Sequence, residues 1–382
     1  MRLPVHLQKL IESFNSPESS ALGLKLTGPV QRTFRPPLTF TQLELQRDAI
    51  VCVKLLGEGN FGEVWLGKLY RKVDVAVKKL KPGSMPEKKF LEEARIMHTL
   101  SHRNVVQILG VVTDGEPLVV SEFMPNGAVL DYLRKQKQEK QDVPRYQLLE
   151  IMIDVRANLS DLLACHNYRQ MPFIANCTTV HCNLYSLLLT SGFVYISICV
   201  KIAAGCIYLE QNKVIHRDIR AANVLLDENL QAKVADFGLA RLLQHVSNDE
   251  AIFPARWTAP EAFSAHKFTH HSDVWSYGIV LWEIVTYGRI PYPDTPNNNA
   301  VFEKVCRGYR LPNPEGHRLH PEDEPLAKWC PMKLHHLMLN CWRTDPESRP
   351  NFAALKSHLE TLLAHVQDET QSSEKALFDD VR

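Results

Sequence analysis

The chain is 382 residues long, more than one ordinary compact domain needs and enough for two. Its 44 Lys+Arg nearly cancel its 43 Asp+Glu, leaving a formal charge of +1, which excludes nucleic-acid binding driven by a strong global field. Hydrophobic content of 45% and charged content of 23% suit a soluble globular protein, and nine irregularly spaced cysteines read as reduced thiols rather than a disulfide framework.

In chain order, MRLPVHLQKLIESFN carries charges from its start and does not read as a signal peptide. A helix is expected over His6–Phe14 and a short strand over Gly23–Leu26, followed by a polar linker over 33–49 with Pro36 and Pro37. Residues 50–124 alternate in the manner of strands (VCVKLL, EVWLGKLY, VDVAVKKL, VVQILGVV, PLVVSEF). They are interrupted by one helix, EKKFLEEARIMHTL, with Phe90, Leu91, Ala94 and Met97 on one face. Beyond residue 125 the pattern is mainly helical, and 364–382 is a polar, acidic tail expected to be disordered. The order is a small β-rich lobe and then a larger helical lobe, an α+β architecture.

One stretch departs from this composition. Residues 155–201 hold only four charges (Arg156, Asp161, Arg169, Lys201) but four of the nine cysteines, and 182–200 is uncharged over about the length of a membrane span. The stretch separates LLEIMID (148–154) from IAAGCIYLE (202–210), which would read as one amphipathic helix if joined. A span there would put half a helix on each side of a bilayer, so no transmembrane segment is expected. Closing a loop of 47 residues costs about 3–4 kcal/mol in chain entropy, and splitting a core helix costs more. Two origins are weighed: a translated retained intron, since Val155-Arg156 can be encoded as a splice donor and Lys201 as an acceptor, or a genuine insertion looped out beside the helix.

Four motifs carry chemistry. Gly57-Glu58-Gly59-Asn60-Phe61-Gly62 lies between two strand patterns. A dinucleotide fold would follow it with a helix; a strand–turn–strand glycine loop suits a flap whose backbone N–H groups cover phosphates. Lys78 ends Val75-Ala76-Val77-Lys78 on a strand, and Glu93 lies on the following helix, where an ion pair would hold the ammonium against phosphates. The neighbouring Glu92 competes for that role, but the Phe90-Leu91-x-Glu93-Ala94 register favours Glu93. His216-Arg217-Asp218-Ile219-Arg220-Ala221-Ala222-Asn223 offers Asp218 to accept a hydroxyl proton and Asn223 to hold a divalent ion. Asp236-Phe237-Gly238 offers a second metal-binding carboxylate, and Ala259-Pro260-Glu261 closes the segment.

In this order and at these spacings, residues 50–363 resemble a protein kinase catalytic domain, with an N-lobe over 50–124 and a C-lobe over 125–363 interrupted by 155–201. Arg220 followed by Ala-Ala-Asn, together with Phe253-Pro254-Ala255-Arg256-Trp257-Thr258, resembles the cytoplasmic Src-like tyrosine kinases; serine/threonine kinases usually carry Lys two residues after the catalytic Asp. Residues 1–32 are similar to the last helix and strand of a Src-homology-2 domain, a remnant without its phosphotyrosine-binding strand, so phosphotyrosine recognition is expected to be lost.

The resemblance implies ATP with Mg²⁺ (or Mn²⁺), tyrosine-bearing protein substrates and a cytoplasmic location, with residence at the inner face of the plasma membrane open through partners. It implies an ATP site of Leu56, Gly57, Glu58, Gly59, Asn60, Phe61, Gly62, Val64, Ala76, Lys78, Ser121, Glu122 and Met124. Catalysis would fall to Asp218, Lys78, Glu93, Arg220 and Asn223, and metal binding to Asn223 and Asp236. Asp273 would tether the catalytic loop, and Arg349 would pair with Glu261. No tyrosine lies between Asp236 and Pro260 or in 362–382, so control by phosphorylation of either segment is not expected. The alternative is an inactive or misfolded scaffold-like product, because a stretch within a core helix threatens folding itself.

Overall fold

The computed structural model describes residues 43–58, 62–81, 86–139, 193–236, 241–242, 254–319, 326–327 and 329–365. The helix and strand expected in 1–32, Leu148–Asp154, residues 155–192 and the tail beyond His365 lie outside them. The chain divides into two units, Met1–Gln42 and Leu43–Arg382, and the second holds every described residue.

The first lobe is a five-stranded antiparallel sheet in the order β1-β2-β3-β5-β4, formed by β1 (Ile50–Glu58), β2 (Gly62–Leu69), β3 (Val73–Leu80), β4 (Ile108–Val112) and β5 (Leu118–Glu122). Side chains alternate between the two faces of a strand. Val75 and Val77 therefore point into one cluster, with Val112, Leu118 and Val120. Helix α1 (Glu87–His98) buries Phe90, Ala94 and Met97 as its spacing predicts, while Leu91 is half-buried. The last part of the expected linker belongs to this lobe: Leu43 is buried, the Leu45 N–H donates to Val111 O at 2.7 Å, and Arg47–Ala49 forms a 3₁₀ turn.

The second lobe contains α2 (Val129–Glu139), α3 (Phe193–Gln211), α4 (Pro260–Ala265), α5 (His270–Val285), α6 (Asn298–Cys306), α7 (Met332–Cys341) and a last helix, α8, over 352–365. Short strands β6 (Val214–Ile215), β7 (Val224–Leu226), β8 (Ala232–Val234) and β9 (Arg241–Leu242) form two antiparallel pairs, β6-β9 and the hairpin β7-β8. Helix α5 is the axis of the lobe. It starts at a capping box between Thr269 and Ser272 and buries every residue from Ser272 to Val285.

Helix α3 runs unbroken from Phe193 to Gln211, so the last nine residues of the 155–201 stretch are part of the helix that the sequence reading begins at Ile202. Counted back from Ile202, Tyr195, Ile196, Ile198, Cys199 and Val200 fill the places expected for Leu148, Leu149, Ile151, Met152 and Ile153. Ile196, Ile198 and Ile202 are each 1% exposed or less, and burial of each such side chain contributes about 1.5–3 kcal/mol. The Tyr277 hydroxyl on α5 donates to Cys199 O at 2.8 Å. Further along α3, Gly205 permits a close crossing, because a Cβ there would sit 2.5 Å from Asn104 O. Among the described residues α3 is the one helix long and apolar enough to cross a membrane, and two-thirds of its apolar window is buried inside the fold. A helix apolar on all sides and packed against α5 and β8 is a core helix.

Candidate active site

The first wall of the site is the sheet face opposite the Val75–Val77 cluster. Val64 pairs with Lys78 and Ala76 pairs with Ser121, so Val64, Ala76, Lys78 and Ser121 share that face. Leu56 sits in an irregularity of β1 between Leu55 and Gly57, followed by Gly57 and Glu58, and is 45% exposed. Gly59, Asn60 and Phe61 lie outside the described residues. Gly62 opens β2 against Lys79, where a Cβ would lie 2.1 Å from the Lys79 carbonyl oxygen, so only glycine fits without a backbone shift. Met124 is buried just after β5.

The Glu122 side chain is engaged by the protein itself. Its carboxylate accepts from the Gln107 N–H at 2.8 Å and pairs with Lys233 of β8 at 2.5 Å. The charge is spent on the protein, so the Glu122 side chain contributes to the cleft by holding the strand end. Lys233 and Gln107 had no sequence signal as partners, being 111 and 15 residues away from Glu122.

The floor is the loop between β6 and β7. Asp273 accepts from the backbone N–H of His216 (2.8 Å) and of Arg217 (2.9 Å), which is the expected tether. His216 is fully buried, and burial pushes its imidazole down to about 4. Its Nε2 faces the Ala235 carbonyl at 3.0 Å, and its Nδ1 faces the Asp218 N–H at 3.2 Å. A carbonyl can only accept and an N–H can only donate, so the neutral ring carries its proton on Nε2. The ring thereby ties Asp218 to the residue before Asp236. Arg217 and Asp236 both adopt left-handed backbone, with φ of 69° and 59°, conformations that non-glycine residues rarely hold without surrounding support.

Asp218 is buried. Its Oδ2 accepts from Asn223 Nδ2 at 2.7 Å, and the same amide donates to Asp218 O at 2.8 Å. Its Oδ1 lies 3.2 Å from Arg220 Nε but accepts no well-aligned hydrogen bond among the described residues. A buried, ionisable oxygen left open for a donor is the acceptor that an incoming hydroxyl needs. Burial pushes this carboxyl up to about 6, against the pull of Arg220 and Asn223. Asp236 is shifted the other way: Lys78, 3.1 Å from its Oδ1, holds its carboxyl below the usual range. Two carboxyls pushed apart in this way suit different tasks, proton acceptance for Asp218 and ligation or charge pairing for Asp236. Glu93 lies on α1 as expected, and its side chain is outside the described residues.

Beside Asp218, the Arg220 guanidinium lies over the Trp257 ring, 5.8 Å from its centroid. Arg256 secures the Pro254–Thr258 segment by donating to the carbonyls of Pro291, Tyr292 and Thr295 at 2.7–2.9 Å. Behind it, Arg349 pairs through both terminal nitrogens with Glu261, at 2.6 and 3.0 Å, as the sequence suggested. Sequence reasoning missed Glu283. Its carboxylate accepts from the Ala221 N–H at 2.9 Å while the residue is 1% exposed. The available signal was a lone acid inside the apolar run IVLWEIV.

The residues fit a divalent ion held jointly with phosphates. Asp236 and Asn223 supply oxygen donors, and no cluster of three or more His, Cys, Asp or Glu ligands exists among the described residues. Mg²⁺ typically binds through one or two protein oxygens plus substrate phosphates, not through an all-protein cage.

A glycine-flap sheet above a buried acid, joined to it by a lysine and a carboxylate from opposite lobes, is the two-lobed architecture of a protein kinase. The model of the protein tyrosine and serine/threonine kinase family matches residues 50–359. The chain belongs to that family, a protein kinase that transfers phosphate to protein substrates, and the family works with ATP and Mg²⁺.

Proposed function

We propose that this kinase is a non-receptor tyrosine kinase that passes the γ-phosphoryl group of ATP to tyrosine hydroxyls of intracellular signalling proteins in the cytoplasm. The observation that carries the reading is Arg220, which lies between the open Oδ1 of Asp218 and the Trp257 ring. A long acceptor side chain must reach Asp218 past a wall, and an arginine over an indole offers that wall a flat, aromatic-compatible face.

In this reading Leu56, Val64, Ala76 and Met124 enclose the adenine, with the Ser121–Glu122 strand end beside them. The Gly57–Gly62 loop, including Glu58, Gly59, Asn60 and Phe61, covers the phosphates, and Lys78, supported by Glu93, orients them. Asp236 and Asn223 hold Mg²⁺, which neutralises phosphate charge when bound. Asp218 orients the tyrosine hydroxyl and takes its proton at Oδ1. Asn223 holds the carboxylate's other oxygen so that Oδ1 faces the acceptor.

The rival reading of an inactive, misfolded product rests on a split core helix; what speaks for the active reading is the continuous helix over Phe193–Gln211. The test is ATP-dependent labelling of a Glu/Tyr polymer against a serine-containing polymer by the purified chain. Labelling of the tyrosine polymer alone is expected; labelling confined to serine would sink the specificity.

A further inference from the structure

A groove of about 290 Å³ lies between α7 and α8 and shares no residue with the catalytic cleft. Leu337 of α7 and Leu362 of α8 line it and are buried, 7% and 8% exposed. On α7, His336 and Leu337 follow Lys333 by three and four residues; on α8, Leu362 and His365 follow His358 by four and seven. These spacings keep each set on one helix face. Both helices therefore bring the same profile to the groove, an apolar floor between walls of lysine and histidine. No acidic residue lines it.

The walls have unused binding capacity. Lys333, His336 and His365 form no hydrogen bond or ion pair with another described residue. The Lys333 ammonium supplies a fixed positive charge. His358 Nδ1 faces the Ala354 carbonyl at 2.7 Å, and a carbonyl only accepts, so the neutral ring keeps Nε2 as an acceptor for an incoming N–H. No group of three or more ligands able to hold a metal ion exists among the described residues, so the histidines do not form a metal site. The volume falls just below the range of about 300–1,000 Å³ usual for small-molecule sites, a size that suits a few side chains of a peptide.

His365 is the last described residue of α8, and the chain continues into residues 366–382. That stretch is the chemical complement of the groove. It holds five acids against two bases, and Leu377-Phe378 comes directly before Asp379-Asp380. We propose that residues 377–380 dock in the α7–α8 groove of their own chain, with Phe378 on the Leu337–Leu362 floor and the two aspartates beside Lys333. The eleven residues from His365 to Ala376 reach about 36–40 Å when extended, enough to leave α8 and turn back. A tether of that length holds the segment at about millimolar effective concentration, so an intrinsic Kd of about 0.1 mM keeps the groove roughly nine-tenths filled. The docking is independent of which hydroxyl the kinase labels.

The bond between Lys375 and Ala376 is the one trypsin target within 366–381, and docking of the residues just beyond it shields it. Brief trypsin treatment of the full chain is timed by release of residues 376–382, beside a synthetic peptide of residues 366–382. Cleavage then follows the undocked fraction. The wild-type chain is expected to release the fragment about tenfold more slowly than the peptide does. Phe378→Ser and Lys333→Glu should each restore the rate to within about twofold of the peptide carrying the same residues. If Lys333→Glu fails to fold, Phe378→Ser decides alone. Equal rates for the wild-type chain and the peptide overturn the inference, and so does protection that survives either substitution, because the cover then lies elsewhere. Protection that weakens when the protein is diluted assigns the groove to the same segment of a second copy and overturns docking within one chain.

Discussion

Lys78 Nζ stands 3.1 Å from Asp236 Oδ1, joining two residues 158 positions apart in sequence and on opposite lobes of the kinase. Both side chains retain solvent contact, 25% and 47% exposed, so the pair adds little stability, within about 0–1 kcal/mol. Lys78→Met is therefore expected to leave the urea midpoint nearly unchanged while phosphotransfer falls by about a hundredfold or more. A loss of activity matched by a collapsed urea midpoint would show instead that the pair holds the fold.

The Asp218 carboxyl predicts a pH profile. It must be ionised to take a proton, and burial raises it to about 6. The value of kcat/KM for peptide should fall about tenfold per pH unit below that point and level off above it. The stability effect has the opposite sign. The folded-state value lies above the ordinary carboxylate value, so the folded chain binds the extra proton between roughly pH 4 and 6 and loses that increment of stability as pH rises. A profile that stays flat down to pH 5 would contradict the burial of Asp218.

The α3 helix predicts where the 155–201 stretch matters. Ile198 is 1% exposed, and Ile198→Ala should cost about 2–5 kcal/mol in urea unfolding. A cost under about 0.5 kcal/mol would show that Phe193–Lys201 contributes no core packing. Deleting 155–201 joins Leu148–Asp154 to Ile202 with the same apolar pattern, so the shortened chain is expected to fold and to label the same polymer. Insoluble or inactive shortened protein would show that the two half-helices are not interchangeable.

Arg349 predicts a stability effect remote from the chemistry. Its side chain is fully buried, paired with Glu261, and donates to His271 O and Arg343 O. Arg349→Ala strands the Glu261 carboxylate and should cost about 3–5 kcal/mol. Arg349→Lys should recover part of this, because an ammonium replaces the charge without the two-pronged geometry. Equal midpoints for the wild type and Arg349→Ala would remove this pair from the account of stability.

Much of the molecule was legible in advance. The strands of the first lobe follow from period-two alternation, and Val75 and Val77 fall on the buried face for that reason. The Asp273 tether and the Arg349–Glu261 pair were likewise expected from motif positions. Other features were not. The sequence extends the linker through residue 49, whereas Leu43 is buried and Leu45 bonds to Val111 of β4, because isolated apolar residues among polar ones carry no periodic signal. The stretch 155–201 was read as an intruder by composition, yet its last nine residues are core helix. Periodicity says that a segment can be helical and apolar; it does not choose between two segments that satisfy the same register.

By itself the sequence determined the lobe order, the glycine loop, and the identities of Lys78, Asp218, Asn223 and Asp236, because local spacing and residue chemistry carry those. Only the tertiary structure decided which residues meet: Glu122 with Lys233, Asp236 with Lys78, and Glu283 with Ala221. It also set the two carboxyls apart, lifting Asp218 by burial and holding Asp236 down by its lysine. Those properties depend on solvent exclusion and on charges brought close from distant positions in the chain, and neither quantity exists until the chain has folded.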